Sequence, residues 1–128
     1  MTVPDRMTLP AAMESAFPEY RDAIVGLISR VSEYGGFAEY SLLSDVFRWS
    51  ILELAIESGD VERLRRSDEF IEALLASPDP NVRDPTEIRV VPYMLQDPTW
   101  AGLTRRWAGP LLRVALDRYT ESQAWRSE

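Results

Sequence analysis

Proline sets the tightest limit on how this chain can fold. Asp79-Pro80, Asp84-Pro85 and Asp97-Pro98 each place a carboxylate directly before a proline. Proline at the first helical position loses no hydrogen bond, and its φ is already helical. The aspartate before it can accept from an orphan backbone N–H. Each pair therefore predicts a helix start, and Phe17-Pro18-Glu19 and Gly109-Pro110 predict two more.

Apolar periodicity fills the intervals. A short helix is expected from about Leu9 to Ala16. A second runs from Pro18 to about Ser32, with Tyr20, Ile24, Leu27, Ile28 and Val31 at helical spacing. Gly35-Gly36 ends or turns it. A third runs from Ser44 to Ser58, with Ser44 capping it and Gly59 stopping it. Val46, Phe47, Trp49, Ile51, Leu52 and Leu54 make this helix apolar on more than one side, so it is expected at the centre of the fold with Trp49 in the core. The fourth, Val61 to Ala76, starts at Asp60. It carries Val61, Leu64, Ile71, Leu74 and Leu75 on one face and Arg63, Arg65, Arg66, Asp68, Glu69 and Glu72 mostly on the other, the pattern of an outer amphipathic helix.

The segment from Asp84 to Gln96 is ambiguous. Ile88-Arg89-Val90-Val91 suits a strand, and Pro92 interrupts a helix. No second strand of comparable strength exists to pair with it, so a kinked helix is expected. Helices from Pro98 to Trp107 and from Pro110 to about Ala124 complete the chain. The expected class is all-α, a single compact bundle of six or seven helices over residues 1–128. Asp79-Pro80-Asn81-Val82-Arg83 resembles the Asp-x-x-Val-Arg turn of HEAT repeats. Repeat arrays need three or more copies, and only one such turn is present. A single HEAT-like helical pair inside the bundle is therefore expected.

Chemistry is bounded by what is missing. The chain has no lysine, histidine or cysteine, and its fourteen basic residues are all arginine. A Schiff-base amine, a histidine-activated serine and nitrogen or thiolate metal ligands are thereby excluded. The loop from Ser32 to Leu43 lacks the glycine spacing of a nucleotide cradle. The net charge of −7 disfavours nucleic acid and anionic membranes and favours a basic partner. No secretory signal or membrane-spanning run is visible, and the lack of cysteine fits a reducing compartment, so a cytoplasmic protein is expected.

Carboxylates remain as candidate groups. Glu53 and Glu57 share a helix face at i,i+4, and Glu69 and Glu72 share one at i,i+3. Such pairs can hold Mg²⁺ when a second acidic pair faces them. Glu87 has Val90 three residues on and no carboxylate, so that pattern is incomplete. The ordinary reading is a solvated acidic face. The clusters Arg63-Arg65-Arg66 and Arg105-Arg106 are read as surface ion pairs. Trp100 and Trp107 flank Arg105 and Arg106 and combine the residue types of interface anchors, although aromatics at helical spacing more often pack inward.

With these elements in order, the chain resembles a known group. Phe17-Pro18-Glu19-Tyr20, Ser44-Asp45-Val46-Phe47-Arg48-Trp49, Leu74-Leu75-Ala76-Ser77 with the Asp79 turn, Ile88 to Leu95, and Gly109-Pro110-Leu111-Leu112-Arg113 carry the likeness. It is similar to a family of small bacterial helical domains resembling the immunity proteins of polymorphic toxins. Pro92 departs from that pattern. The resemblance implies a binding protein without cofactor, metal or catalytic residues. The expected function is neutralisation of a basic toxin through Asp45, Glu53, Glu57, Asp68, Glu69 and Glu72, with Trp100 and Trp107 as anchors. The alternatives are a helical adaptor that docks a partner helix and a carboxylate-based Mg-dependent enzyme.

Overall fold

Aspartate and proline divide the chain into helices, and two stretches of wider π-helical winding decide which side chains face inward. The computed structural model describes residues 3–33, 41–96 and 98–127, without the side chains of residues 32, 33, 98–100 and 122–127. The chain is an all-α bundle, 84% helical with no strand, and adjoining helical runs combine into seven helices among the described residues. α1 is Leu9–Ala16. α2 opens with the 3-10 turn Pro18–Tyr20 and continues as Arg21–Glu33. α3 joins the π-helical stretch Leu42–Leu52 to Glu53–Ser58, and α4 is Val61–Leu75. α5 comprises Pro80–Pro85, the π-helical turn Thr86–Val90 and Val91–Met94. α6 is Pro98–Trp107, and α7 is Pro110–Ser127.

The caps follow from local chemistry. Asp60 accepts from the Arg63 N–H at 3.1 Å to start α4, and Asp79 accepts from the Asn81 N–H at 2.9 Å to start α5. Gly59 ends α3 at φ 68°, a left-handed conformation that favours glycine. Two expected starts are displaced. Ser44 lies inside α3, whose π-helical stretch already begins at Leu42. Asp84-Pro85 lies inside α5, because Asp79-Pro80 has started that helix one turn earlier. Gly35 and Gly36, expected to end α2, fall outside the described residues, as does Asp97.

The ambiguous segment is helical, not extended. The turn Thr86–Val90 separates Pro85 from Pro92. A proline in a helix clashes with the carbonyl four residues back and supplies no N–H. A π-turn, bonding i to i+5, shifts the backbone off that register and lets the helix pass Pro92.

The hub of the bundle is α4, which packs against α1, α3, α5, α6 and α7. This corrects the expectation of an outer helix. Leu64, Ser67, Phe70, Ile71, Leu74 and Leu75 are all buried, so its inward surface is far wider than one stripe. Phe70 meets Phe17, which joins α1 to α2, at 5.7 Å between centroids and Phe47 of α3 at 5.3 Å. Phe17 and Phe47 close the triangle edge-on at 5.8 Å. Burying each ring contributes on the order of 2 kcal/mol, with edge-to-face geometry adding to it.

α3 is correspondingly less central than expected. Its inward pairs are Leu42–Leu43, Val46–Phe47 and Ile51–Leu52, separated by steps of four and then five residues. The wider winding turns Leu54 outward, and Trp49 is 54% exposed. Ser50 Oγ donates to the Asp45 carbonyl five residues back, in keeping with that winding. Among the described residues, no helix is long and apolar enough to cross a membrane.

Candidate functional site

At the outward side of α3, Arg48 lies between two aromatic rings, Glu53 and Glu57 act on one of them, and Asp45 is exposed one turn before Trp49. The Arg48 guanidinium lies 5.4 Å from the Trp49 ring centroid and 5.7 Å from the Tyr93 ring centroid. It is therefore held by two π-faces from different helices. The Arg48 Nε is buried without a hydrogen-bond partner. Burial raises the Tyr93 pKa above its ordinary value, with the negative charges of Glu53 and Glu57 adding to the rise and Arg48 opposing it. The phenol stays protonated at neutral pH, and both carboxylates lie within electrostatic reach of it. Glu57 and Asp45 are exposed, and Glu53 is half-buried.

The carboxylates expected at a binding surface fall into two groups, and these three lie on α3. Those on α4 do not gather beside them. Asp68 is only 3% exposed, and its Oδ2 has no hydrogen-bond partner. Burial pushes its pKa up to about 8. Its interior position was readable, since it lies four residues after Leu64 and three before Ile71, inside the apolar stripe. Glu72 accepts from the Leu111 and Leu112 N–H groups at 2.8 and 2.9 Å and so caps α7. Glu69 is exposed but paired with Arg65 at 3.0 Å. Trp107 is half-buried against the core and not a projecting anchor. The Trp100 side chain is outside the described residues. Trp49, expected in the core, is exposed instead. Its signal was its position two residues past Phe47, which puts it on the opposite side of the helix.

The arginine clusters serve structure. Arg65 pairs with Glu62 at 2.6 Å, and this hydrogen bond lowers the Glu62 pKa. Arg66 donates to the Ala16 carbonyl and to Glu19, and its guanidinium covers Phe17. Burial alone would raise the Glu19 pKa, but a backbone hydrogen bond, Arg66 and Arg63 outweigh it and hold the group lower. Tyr20 donates to the Ser50 carbonyl at 2.9 Å and accepts from Arg63, tying α2, α3 and α4 together. Arg105 pairs with Asp117 at 2.6 Å. Asp79 accepts from the Arg6 and Asn81 N–H groups, which lower its pKa.

Comparison with protein-family models, curated proteins and solved structures found no match. A reading of function therefore rests on the chemistry of the site. The α3 face offers ring surface, a delocalised cation and a rim of carboxylates, a combination suited to recognising a basic protein surface. Among the described residues, no three carboxylates gather closely enough to hold a metal ion. The Glu69–Glu72 pair is divided between an ion pair and a helix cap.

Proposed function

We propose that this chain is a non-catalytic binding protein whose α3 face engages a basic partner. The observation that carries the reading is the exposed Trp49 beside Arg48 and Tyr93, with Glu53, Glu57 and Asp45 on the same helix. Tryptophan, tyrosine and arginine dominate binding energy at protein interfaces. A carboxylate rim steers a cationic surface toward them. Combined with the net charge of −7, this suits an immunity protein of the cytoplasm that covers the basic active site of a toxin.

The test is co-expression with any toxin domain encoded beside it. Wild-type chain should restore growth and form an equimolar complex. Trp49→Ala and Glu57→Arg should weaken both while keeping the helical circular dichroism spectrum. Failure to bind or rescue against every adjacent gene product would overturn the reading. A helical adaptor is the second reading, and it requires an apolar groove. One lies between α5 and α7, lined by Val91, Ala115 and Tyr119 with Glu87 and Arg118. If that groove took the foreign partner, Ala115→Arg would abolish binding and Trp49→Ala would spare it.

A further inference from the structure

Helix α7 is apolar on two sides. Leu112 and Leu116 are buried in the core, whereas Leu111 and Val114 are 43% and 52% exposed. A surface helix ordinarily needs one apolar stripe, so the second calls for another cover. That side borders a groove of about 230 Å³ against α5, lined by Glu87, Val91, Ala115, Arg118 and Tyr119. Leu111 lies one turn before Ala115, and Val114 one turn before Arg118, so the exposed residues extend the groove along α7. Ile88, next to Glu87 on α5, is 59% exposed.

The two walls carry opposite charges. Glu87 lies on α5 and Arg118 on α7, and neither has an ion-pair or hydrogen-bond partner among the described residues. We propose that this groove seats α7 of a second copy of the chain, forming a two-fold dimer. In an isologous contact residue i meets j and j meets i. Glu87 of each copy then faces Arg118 of the other, with Leu111 and Val114 of both copies covered between the pairs. A foreign helix would have to supply this charge pattern, whereas a second copy already has it. The like net charges oppose the contact, and salt screens that repulsion over about 8 Å at physiological ionic strength. The groove shares no lining residue with the α3 face.

Sedimentation equilibrium of the full chain at physiological salt tests this directly. The expected result is a concentration-dependent species of twice 14.6 kDa. Glu87→Arg and Arg118→Glu should each weaken it at least tenfold, because each variant sets like charges opposite one another. Mixing these two variants in equal amounts should restore a dimer, since every cross-pair is then attractive. A chain that stays monomeric to about millimolar concentration overturns the proposal and leaves the groove to a foreign helix. A dimer indifferent to both reversals overturns it as well, by placing the contact on another surface.

Discussion

The carboxylates of α3 and those of α4 share a residue type and a helical spacing, yet they do different work. On α4, Asp68 is buried, Glu69 is held by Arg65, and Glu72 caps α7. Those groups are committed within the molecule. On α3, Asp45 and Glu57 are exposed, and Glu53 and Glu57 act on the phenol of Tyr93 beside Trp49. What separates the two sets is the surroundings of each helix. α4 is covered by five neighbours, whereas α3 is covered on one side and turns Trp49 to solvent. What surrounds a helix decides whether an acidic residue is committed inside the molecule or left facing solvent.

The largest expected effect comes from Asp68. Its carboxyl carries a pKa of about 8 in the folded chain against an ordinary value of 3.8. Between those values the folded state holds a proton that the unfolded state has released, so stability falls as pH rises. The slope is on the order of 1 kcal/mol per pH unit. Urea denaturation at pH 5, 6, 7 and 8 should show this decline in the wild type and a nearly flat line for Asp68→Asn. Glu19, Glu62 and Asp79 have lowered pKa values, so their contributions disappear only on acidification below the ordinary carboxylate range. Stability should therefore be greatest near pH 4 to 5, a range set by these shifts. A wild type as stable at pH 8 as at pH 5 would show Asp68 to be solvated and would remove the main contrast between α4 and α3.

Next in size is the loss of Trp49. Trp49→Ala should weaken partner binding by about 2 kcal/mol, roughly thirtyfold, as truncation of an interface anchor does. Its effect on the folding free energy should be smaller, because more than half of the side chain is already in water. Isothermal titration calorimetry and thermal melts on one preparation separate the two. Equal losses in both would return Trp49 to the core.

A smaller effect tests the cap on α7. A Cβ added to Gly109 would lie 2.5 Å from Glu72 Cδ, so Gly109→Ala must displace that carboxylate. Glu72→Ala should cost about 1 kcal/mol, the usual value of a lost helix cap. Gly109→Ala should cost a similar amount in the wild type and much less in the Glu72→Ala background. Such non-additivity is the signature of residues in direct contact. Independent costs would mean that Glu72 does not hold α7.

The helices were legible because their punctuation is local. Asp60, Asp79, Gly59 and the prolines at 18, 80, 98 and 110 fix helix ends through nearby backbone groups. The facing of α3 and α4 was less legible because it depends on packing. The steps from Val46–Phe47 to Ile51–Leu52 follow a π-helical register that α-helical spacing does not anticipate. Asp68 and Trp49 were both readable from their offsets within their own helices. Glu72 was not, because the Leu111 and Leu112 N–H groups it caps lie far along the chain. The site was half legible for the same reason. Glu53 and Glu57 are neighbours in sequence, but Tyr93 reaches them only through the packing of α5 on α3.

The smallest effect should come from Glu69. It is exposed and shares Arg65 with Glu62, which makes the shorter contact at 2.6 Å. Exposed pairs of this kind contribute little to stability. Glu69→Gln should therefore leave the melting temperature and partner affinity unchanged. Glu57→Gln, with the same loss of one charge, should slow association and flatten its salt dependence, because that carboxylate belongs to the rim around Trp49. Stopped-flow association rates at low and high salt compare the two variants directly. If Glu69→Gln slowed association as much as Glu57→Gln, the partner would sense the total charge of the chain and not the α3 face. The distinction drawn between the two helices would then hold for stability but fail for recognition.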